Sequence, residues 1–221
     1  MNMDSLPFSP ACENNKGPIL QHLRNAFADC QGVLEIGSGT GQHAVWFAGH
    51  LPWLTWQPTE IPQSLATLRP RCAESGLDNL LPPAAMDVCD EPWALPVADA
   101  VFTANTLHIM SMDAVRALFL GLAVHAPPGT RLVVYGPFNY AGRHTSNSNA
   151  QFDQHLRARS PHMGIRDIED IDGLAVAAGF TQQSDHAMPA NNRLIVWQRG
   201  VGTQEAASST RNGSSVAASR R

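Results

Sequence analysis

The stretch Gly32-Val33-Leu34-Glu35-Ile36-Gly37-Ser38-Gly39-Thr40-Gly41 decides how the rest of the chain is read. Gly32 to Ile36 is a short, mostly apolar run of the kind that forms a buried strand. Glycines then stand at every second position, and Gln42-His43-Ala44-Val45-Trp46-Phe47-Ala48 follows as an apolar helical run. Glycine at a strand-to-helix turn lets a ligand come close to the backbone and leaves the first helical N–H groups free to meet it. The spacing is G-x-G-x-G. A dinucleotide fingerprint needs a third glycine one position later, where Gln42 stands. A P-loop is excluded too, because no Gly-Lys-Ser/Thr follows and Lys16 is the only lysine in the chain.

Outward from this loop, strand and helix signals alternate. Leu54-Thr55-Trp56-Gln57 reads as a second strand, followed by a helix from Pro62 to Ser75 with Gly76 beyond its end. Leu80 to Met86 fits a third strand, weakened by Pro82 and Pro83. Ala100 to Ala104 is a fourth, and Arg131 to Gly136 a fifth. Between them Met112 to His125 is amphipathic, with Ala114, Leu118 and Leu122 four apart. Ile168 to Ala178 is a helix closed by Gly179. Phe180 to Ala187 and Arg193 to Gln198 are the last strands, joined by a turn over Met188 to Asn192 that suits asparagine. A further helix is expected at about Gly17 to Ala28, preceded by the polar Asn14-Asn15-Lys16. Alternating strands and helices imply right-handed crossovers and a parallel sheet, while the closing strand pair must be antiparallel. The fold class is therefore α/β. Residues 137–167 are polar and too long for an ordinary loop, so they read as an inserted lid. Its helix is expected near Gln151 to Arg159, with Ser148 or Asn149 as cap.

Composition sets limits on function. The 221 residues are 43% hydrophobic and 15% charged, enough for a sizeable core and too little charge for a disordered chain. One domain over residues 1–200 is expected, with 201–221, rich in Ser, Ala and Gly, as a disordered tail. Net charge is −4, but Arg211, Arg220 and Arg221 against Glu205 give that tail +2, leaving a body at −6. No nucleic-acid partner is expected of such a body, since that binding rests on clustered Lys and Arg. The four cysteines form no C-x-x-C, and no signal segment or run of about 18 apolar residues occurs, so a reduced, cytoplasmic protein without a membrane span is expected. His144, His155 and His162 make no i, i+4 pair, and no metal site is expected.

Two more acids complete the picture at the loop. Glu60 follows the second strand, where a carboxylate can pair with the two ribose hydroxyls of an adenosine, and Asp87 follows the third strand, beside the place for the adenine edge. Glu35 either meets a cationic group on the ligand or holds the glycine loop.

Glu35 through Gly41, with Glu60 and Asp87, resembles the class I S-adenosylmethionine-dependent methyltransferases over about residues 13–200. The resemblance implies a Rossmann-like seven-stranded sheet of order 3-2-1-4-5-7-6, last strand antiparallel, with helices on both faces. A narrower set of stretches is similar to the family that includes methyltransferase-like protein 26: Glu13 to Leu20, Trp56-Gln57-Pro58, Ala104 to Met110, Tyr135 to Asn139, Met163 to Asp167 and Met188 to Arg193. The implied cofactor is S-adenosylmethionine. Its expected contacts are Asn15, Glu35, Gly37, Ser38, Gly39, Gly41, Glu60, Asp87, Val88, Asn105 and Thr106.

The methyl group should lie at the end of the fourth strand, at Asn105-Thr106-Leu107-His108. No Asn/Asp-Pro-Pro-Tyr/Phe occurs there, nor a Pro-Cys, which disfavours adenine or glutamine amino groups and cytosine C5 as acceptors. His108 is the candidate general base; the alternative is a histidine satisfied by backbone bonds. Asn139, Asn149 and Arg166 are candidate contacts of the lid to a small polar substrate, Arg166 by pairing with an acid on it. The leading reading is methyl transfer to a small molecule. The alternatives are a catalytically silent cofactor-binding or protein-interaction module, or a protein or nucleic-acid methyltransferase that needs a partner. NAD(P)-dependent oxidoreduction fails at Gln42 and lacks a Tyr/Lys pair.

Overall fold

The computed structural model describes residues 6–201. The stretch expected to be a disordered tail lies, apart from Val201, outside the described residues. The chain runs α1 (Pro10–Ala26), β1 (Gly32–Glu35), α2 (Gln42–His50), β2 (Thr55–Glu60), α3 (Leu65–Glu74), β3 (Ala84–Ala85), β4 (Ala100–Ala104), α4 (Met112–His125) and β5 (Arg131–Gly136). It continues β6 (Phe138–Tyr140), β7 (Arg143–His144), α5 (Asn147–Arg159), β8 (Arg166–Asp167), α6 (Ile168–Ala177), β9 (Phe180–Met188) and β10 (Asn192–Arg199).

Seven strands make the main sheet in the order β3-β2-β1-β4-β5-β10-β9. Counted along the chain within this sheet, that is 3-2-1-4-5-7-6, with β10 antiparallel to both neighbours. The strands alternate between two cores, as a pleated sheet covered on both faces must. Val33, Phe102, Val133 and Leu194 pack with α1, α2 and α3 on one side. Leu34, Val101, Leu132 and Ile195 pack with α4 and α6 on the other. Large rings carry much of this burial: Phe47, Trp56 and Phe102 meet at centroid distances of 5.4 to 5.9 Å on the first face. Each ring removes on the order of 150–250 Å² from water.

Several elements differ from their sequence outlines. α1 starts at Pro10, capped by Ser9, so Asn14, Asn15 and Lys16 lie within it rather than before it. Gly17-Pro18 imitates a helix start, but here Pro18 is internal. β2 extends to Glu60 through Pro58. Proline is tolerated there because alternate residues of β2 face β3, and β3 holds only Ala84 and Ala85 plus a single bridge from Leu80 to Trp56. The third strand is correspondingly shorter than Leu80 to Met86. α3 begins at Leu65, after Pro62, and α5 begins at Asn147. The α5 cap is Ser146, whose Oγ accepts the amide of Asn149 at 3.1 Å, not Ser148 or Asn149. The inserted segment also holds an unforeseen small sheet, β7-β6-β8. Among the described residues, no helix is long and apolar enough to cross a membrane.

Candidate active site

The glycine loop sits at the carboxyl end of β1, the edge where open α/β sheets bind ligands. Gly37, Gly39 and Gly41 have φ of 73°, 57° and 76°. At Gly37 a Cβ would stand 2.9 Å from the Thr106 side chain, so the loop can pack on the end of β4 only as glycine. At Gly39 a Cβ would meet nothing within 4 Å, which marks the open face of the loop. Backbone bonds fix the rest. The Ser38 amide donates to Thr59 O at 2.9 Å, and the Thr59 amide donates back to Ser38 Oγ at 3.1 Å. Arg71 Nε donates to Thr40 O at 2.9 Å. Gly41 begins α2 in the left-handed conformation, and no side chain caps that helix.

Glu60 ends β2 beside this loop. Its Oε2 accepts the Gly39 amide at 2.8 Å, and its Oε1 accepts the Ile61 amide at 2.9 Å. Asp87 is brought alongside because Met86 N donates to Glu60 O at 2.9 Å. The Asp87 carboxylate accepts the Cys89 amide at 2.9 Å, and Val88 between them is buried. Glu35 lies beneath the loop, 2% exposed, with Oε2 accepting Trp56 Nε1 at 2.9 Å. Burial pushes its carboxyl up to about 7, against the opposing pull of the Trp56 and Ser38 hydrogen bonds.

Asn15 projects from α1 and is buried at the same end of the sheet. His43 Nε2 donates to Asn15 Oδ1 at 2.6 Å. With Oδ1 so occupied, the Asn15 amide group faces the Tyr135 hydroxyl at the end of β5, as does Asn192. Burial holds His43 down at about 4, so the imidazole is neutral, and burial pushes the Tyr135 phenol up. His43 and Tyr135 were not among the site residues read from the sequence. The available signal was a histidine on the apolar face of α2, four residues before Phe47.

Asn105 leaves β4 with φ 57°, its amide donating to Tyr135 O at 2.8 Å. Asparagine is among the few non-glycine residues that adopt this left-handed conformation readily. Thr106 Oγ1 donates to Ala104 O at 3.0 Å. His108 is 6% exposed and pushed down to about 4, by burial first and then by Arg166. Its ring packs edge-on against Phe152 of α5, 5.3 Å between centroids, and no side-chain hydrogen bond engages either ring nitrogen among the described residues.

The three lid residues proposed for substrate are engaged within the chain. Asn139 Oδ1 pairs with His144 Nδ1 at 2.7 Å, and Asn149 Nδ2 donates to Thr145 Oγ1 and to Asn191 O at 2.9 and 3.0 Å. Arg166 donates to the carbonyls of Leu107, Met110 and His162. Asp153 fastens the same lid, accepting the Ile165 amide and Arg157 Nε, each at 2.7 Å. Among the described residues, no group of three or more His, Cys, Asp or Glu side chains could hold a metal ion.

Residues 6–199 match the family described as protein of unknown function (DUF938). The chain belongs to that family. Its fold is shared with solved methyltransferases. An O-methyltransferase family protein from Burkholderia thailandensis superposes with a TM-score of 0.74 at 20% identity, over 87% of this chain and 58% of that one. Human N-acetylserotonin methyltransferase, solved with S-adenosylmethionine, gives 0.74 at 17% identity, over 86% and 53%. The S-adenosylmethionine-dependent methyltransferase SibL gives 0.72 at 24%, over 86% and 56%. This DUF938 chain thus spans somewhat more than half the length of each of these structures.

Proposed function

We propose that this DUF938 protein binds S-adenosylmethionine and transfers its methyl group to a small molecule. The observation that carries the reading is the Glu60–glycine-loop pair: an open Gly39 and a carboxylate at the end of β2, set on a methyltransferase sheet. The residues present fit such a cofactor. Gly39 leaves open space over the loop, Glu60 offers acceptors for two hydroxyls, and Asp87 and Val88 flank the adenine side. The bound cofactor supplies an electrophilic methyl on a positively charged sulfonium. Glu35 and Asn15 lie on the side of its methionine portion, where the near-neutral titration of Glu35 lets a cation draw out the carboxylate. His108 is neutral above about pH 4, and its ring, with no side-chain hydrogen bond among the described residues, takes the acceptor's proton as the new bond forms. We infer kinship with the family that includes methyltransferase-like protein 26 from the motif stretches Glu13 to Leu20 and Ala104 to Met110, a reading consistent with the same assignment. The body charge of −6 favours a small-molecule acceptor over nucleic acid, and the free thiols Cys12, Cys30, Cys72 and Cys89 suit a reducing, cytoplasmic setting.

The test is transfer itself. The protein is incubated with methyl-labelled S-adenosylmethionine and the low-molecular-mass fraction of a cell extract, beside His108→Ala. Label should appear in a small molecule with the wild type and fall by about 10²–10⁴-fold with the variant. Label in no small molecule, or equal label with both proteins, would contradict the reading.

A further inference from the structure

We propose that Arg166 is a positioning residue, clamping the turn at residues 107–110 so that the His108 ring is held in one orientation against Phe152. The inference rests on the methyl-transfer reading, in which His108 accepts a proton. It replaces the expectation that Arg166 pairs with an acidic substrate.

The backbone of Arg166 is anchored on the sheet side. β8 pairs with β6 in the register Phe138 with Arg166, and β6 begins two residues after β5 ends. The side chain crosses from there to the turn after β4. Nε donates to Leu107 O at 3.1 Å, and one terminal nitrogen donates to Met110 O and to His162 O. Two residues earlier, the Gly164 amide donates to His108 O at 2.9 Å. The lid segment 162–166 therefore receives the carbonyls of residues 107, 108 and 110. The turn's own bonds are only those from the Ile109 and Met110 amides to Thr106 O. Among the described residues the His108 ring has no side-chain hydrogen bond, which leaves its orientation to the backbone clamp and the Phe152 edge contact. A guanidinium suits this task because its donors form a planar fork that reaches separate carbonyls, which a lysine ammonium cannot match.

The clamp has a second effect. A cation held beside His108 disfavours the imidazolium. Arg157 and Asp153 of α5 also act on Arg166 and pair with each other at 2.7 Å, and His144 of β7 lies 3.9 Å from the same carboxylate. His162 is exposed, with Nδ1 bonded to Ser160 Oγ at 2.8 Å.

The experiment is an NMR titration of the His108 ring, with amide exchange over residues 107–110, in the full chain and three variants. In Arg166→Gln the His108 midpoint should rise from about 4 but stay below the ordinary imidazole range, because burial is the larger cause of its low value, and exchange in the turn should quicken by ~10-fold or more. Arg166→Lys keeps the charge without the fork, so exchange should quicken while the midpoint stays low. It also carries the test if the glutamine variant fails to fold. Tyr140→Phe removes a different tie of the insert, the Tyr140 hydroxyl to Asp185 Oδ2 bond of 2.6 Å, and should change neither reading. An unchanged midpoint and exchange rate in the Arg166 variants, or an equal change in Tyr140→Phe, would overturn the proposal. Calorimetry of the wild type with S-adenosylhomocysteine separates the two claims, since absent binding would fell the methyl-transfer reading and leave the clamp measurable.

Discussion

The Glu60 carboxylate accepts the Gly39 amide at 2.8 Å, tying the end of β2 to the open face of the glycine loop. The acid proposed to receive two ribose hydroxyls is thus held in place without a ligand, which would lower the ordering cost of binding. Glu60→Gln keeps the size and removes the charge. Hydrogen bonds to charged groups contribute about 1.5–3 kcal/mol, so affinity for S-adenosylhomocysteine should drop by roughly 10–100-fold. Thermal stability should fall by about 1 kcal/mol, because one of the two amides that Glu60 accepts, Gly39 or Ile61, would then face an NH2 group. Calorimetry and a melting curve on the same sample check both.

Gly39→Arg places a side chain in the space the ligand would use. The residue must also adopt φ 57°, at a strain of about 1–2 kcal/mol. Modest loss of stability with complete loss of cofactor binding is expected. Binding within about threefold of the wild type would show that the open face of Gly39 is not the site.

Glu35 has its carboxyl raised to about 7, so burial of the charged form costs stability as pH rises from the unfolded value toward 7, and the protonated form is free of that cost below it. Glu35→Gln should therefore melt higher than the wild type at pH 8, by on the order of 1–3 kcal/mol, and match it near pH 5. Wild-type affinity for S-adenosylmethionine should strengthen from pH 6 to 8 more than that of the variant. Both follow from melting and titration series.

His43 and His108 are both held down near 4, the reverse case. Their contribution to stability is present above pH ~6.5 and is lost as pH falls toward 4, because the unfolded chain binds those protons first. Asn15→Ala removes the acceptor at 2.6 Å from His43 and leaves a buried N–H unpaired. A cost of about 1–3 kcal/mol at pH 7 is expected by denaturant titration. Cofactor affinity should fall as well, since the Asn15 amide group at the end of β5 goes with it.

The centre of the main sheet was legible because β1, β4 and β5 are mostly apolar runs and glycines mark the turn after β1. The period of two is visible in Val33 and Leu34, which enter opposite cores. β2 was read short because Pro58 looks like a strand terminator, and only the shortness of its neighbour β3 makes that proline harmless. The start of α1 was misplaced because Gly17-Pro18 has the chemistry of a helix N-terminus while Ser9, the actual cap, precedes a polar run. The juxtaposition of the glycine loop and Glu60 was legible as a local pattern. The Asn15–His43–Tyr135 group was not, since it joins α1, α2 and β5 across long stretches of sequence. Nor could composition show that Arg166 spends its donors on carbonyls: an arginine in a polar segment looks the same whether it faces a ligand or its own backbone.

The central claim, that the loop and Glu60 form a site for S-adenosylmethionine, is tested most directly by isothermal calorimetry with S-adenosylhomocysteine at pH 7.5. A single site per chain with a Kd in the micromolar range, lost in Gly39→Arg, is the expected result. No heat of binding up to millimolar ligand, on protein shown to be folded by its melting transition, would contradict it.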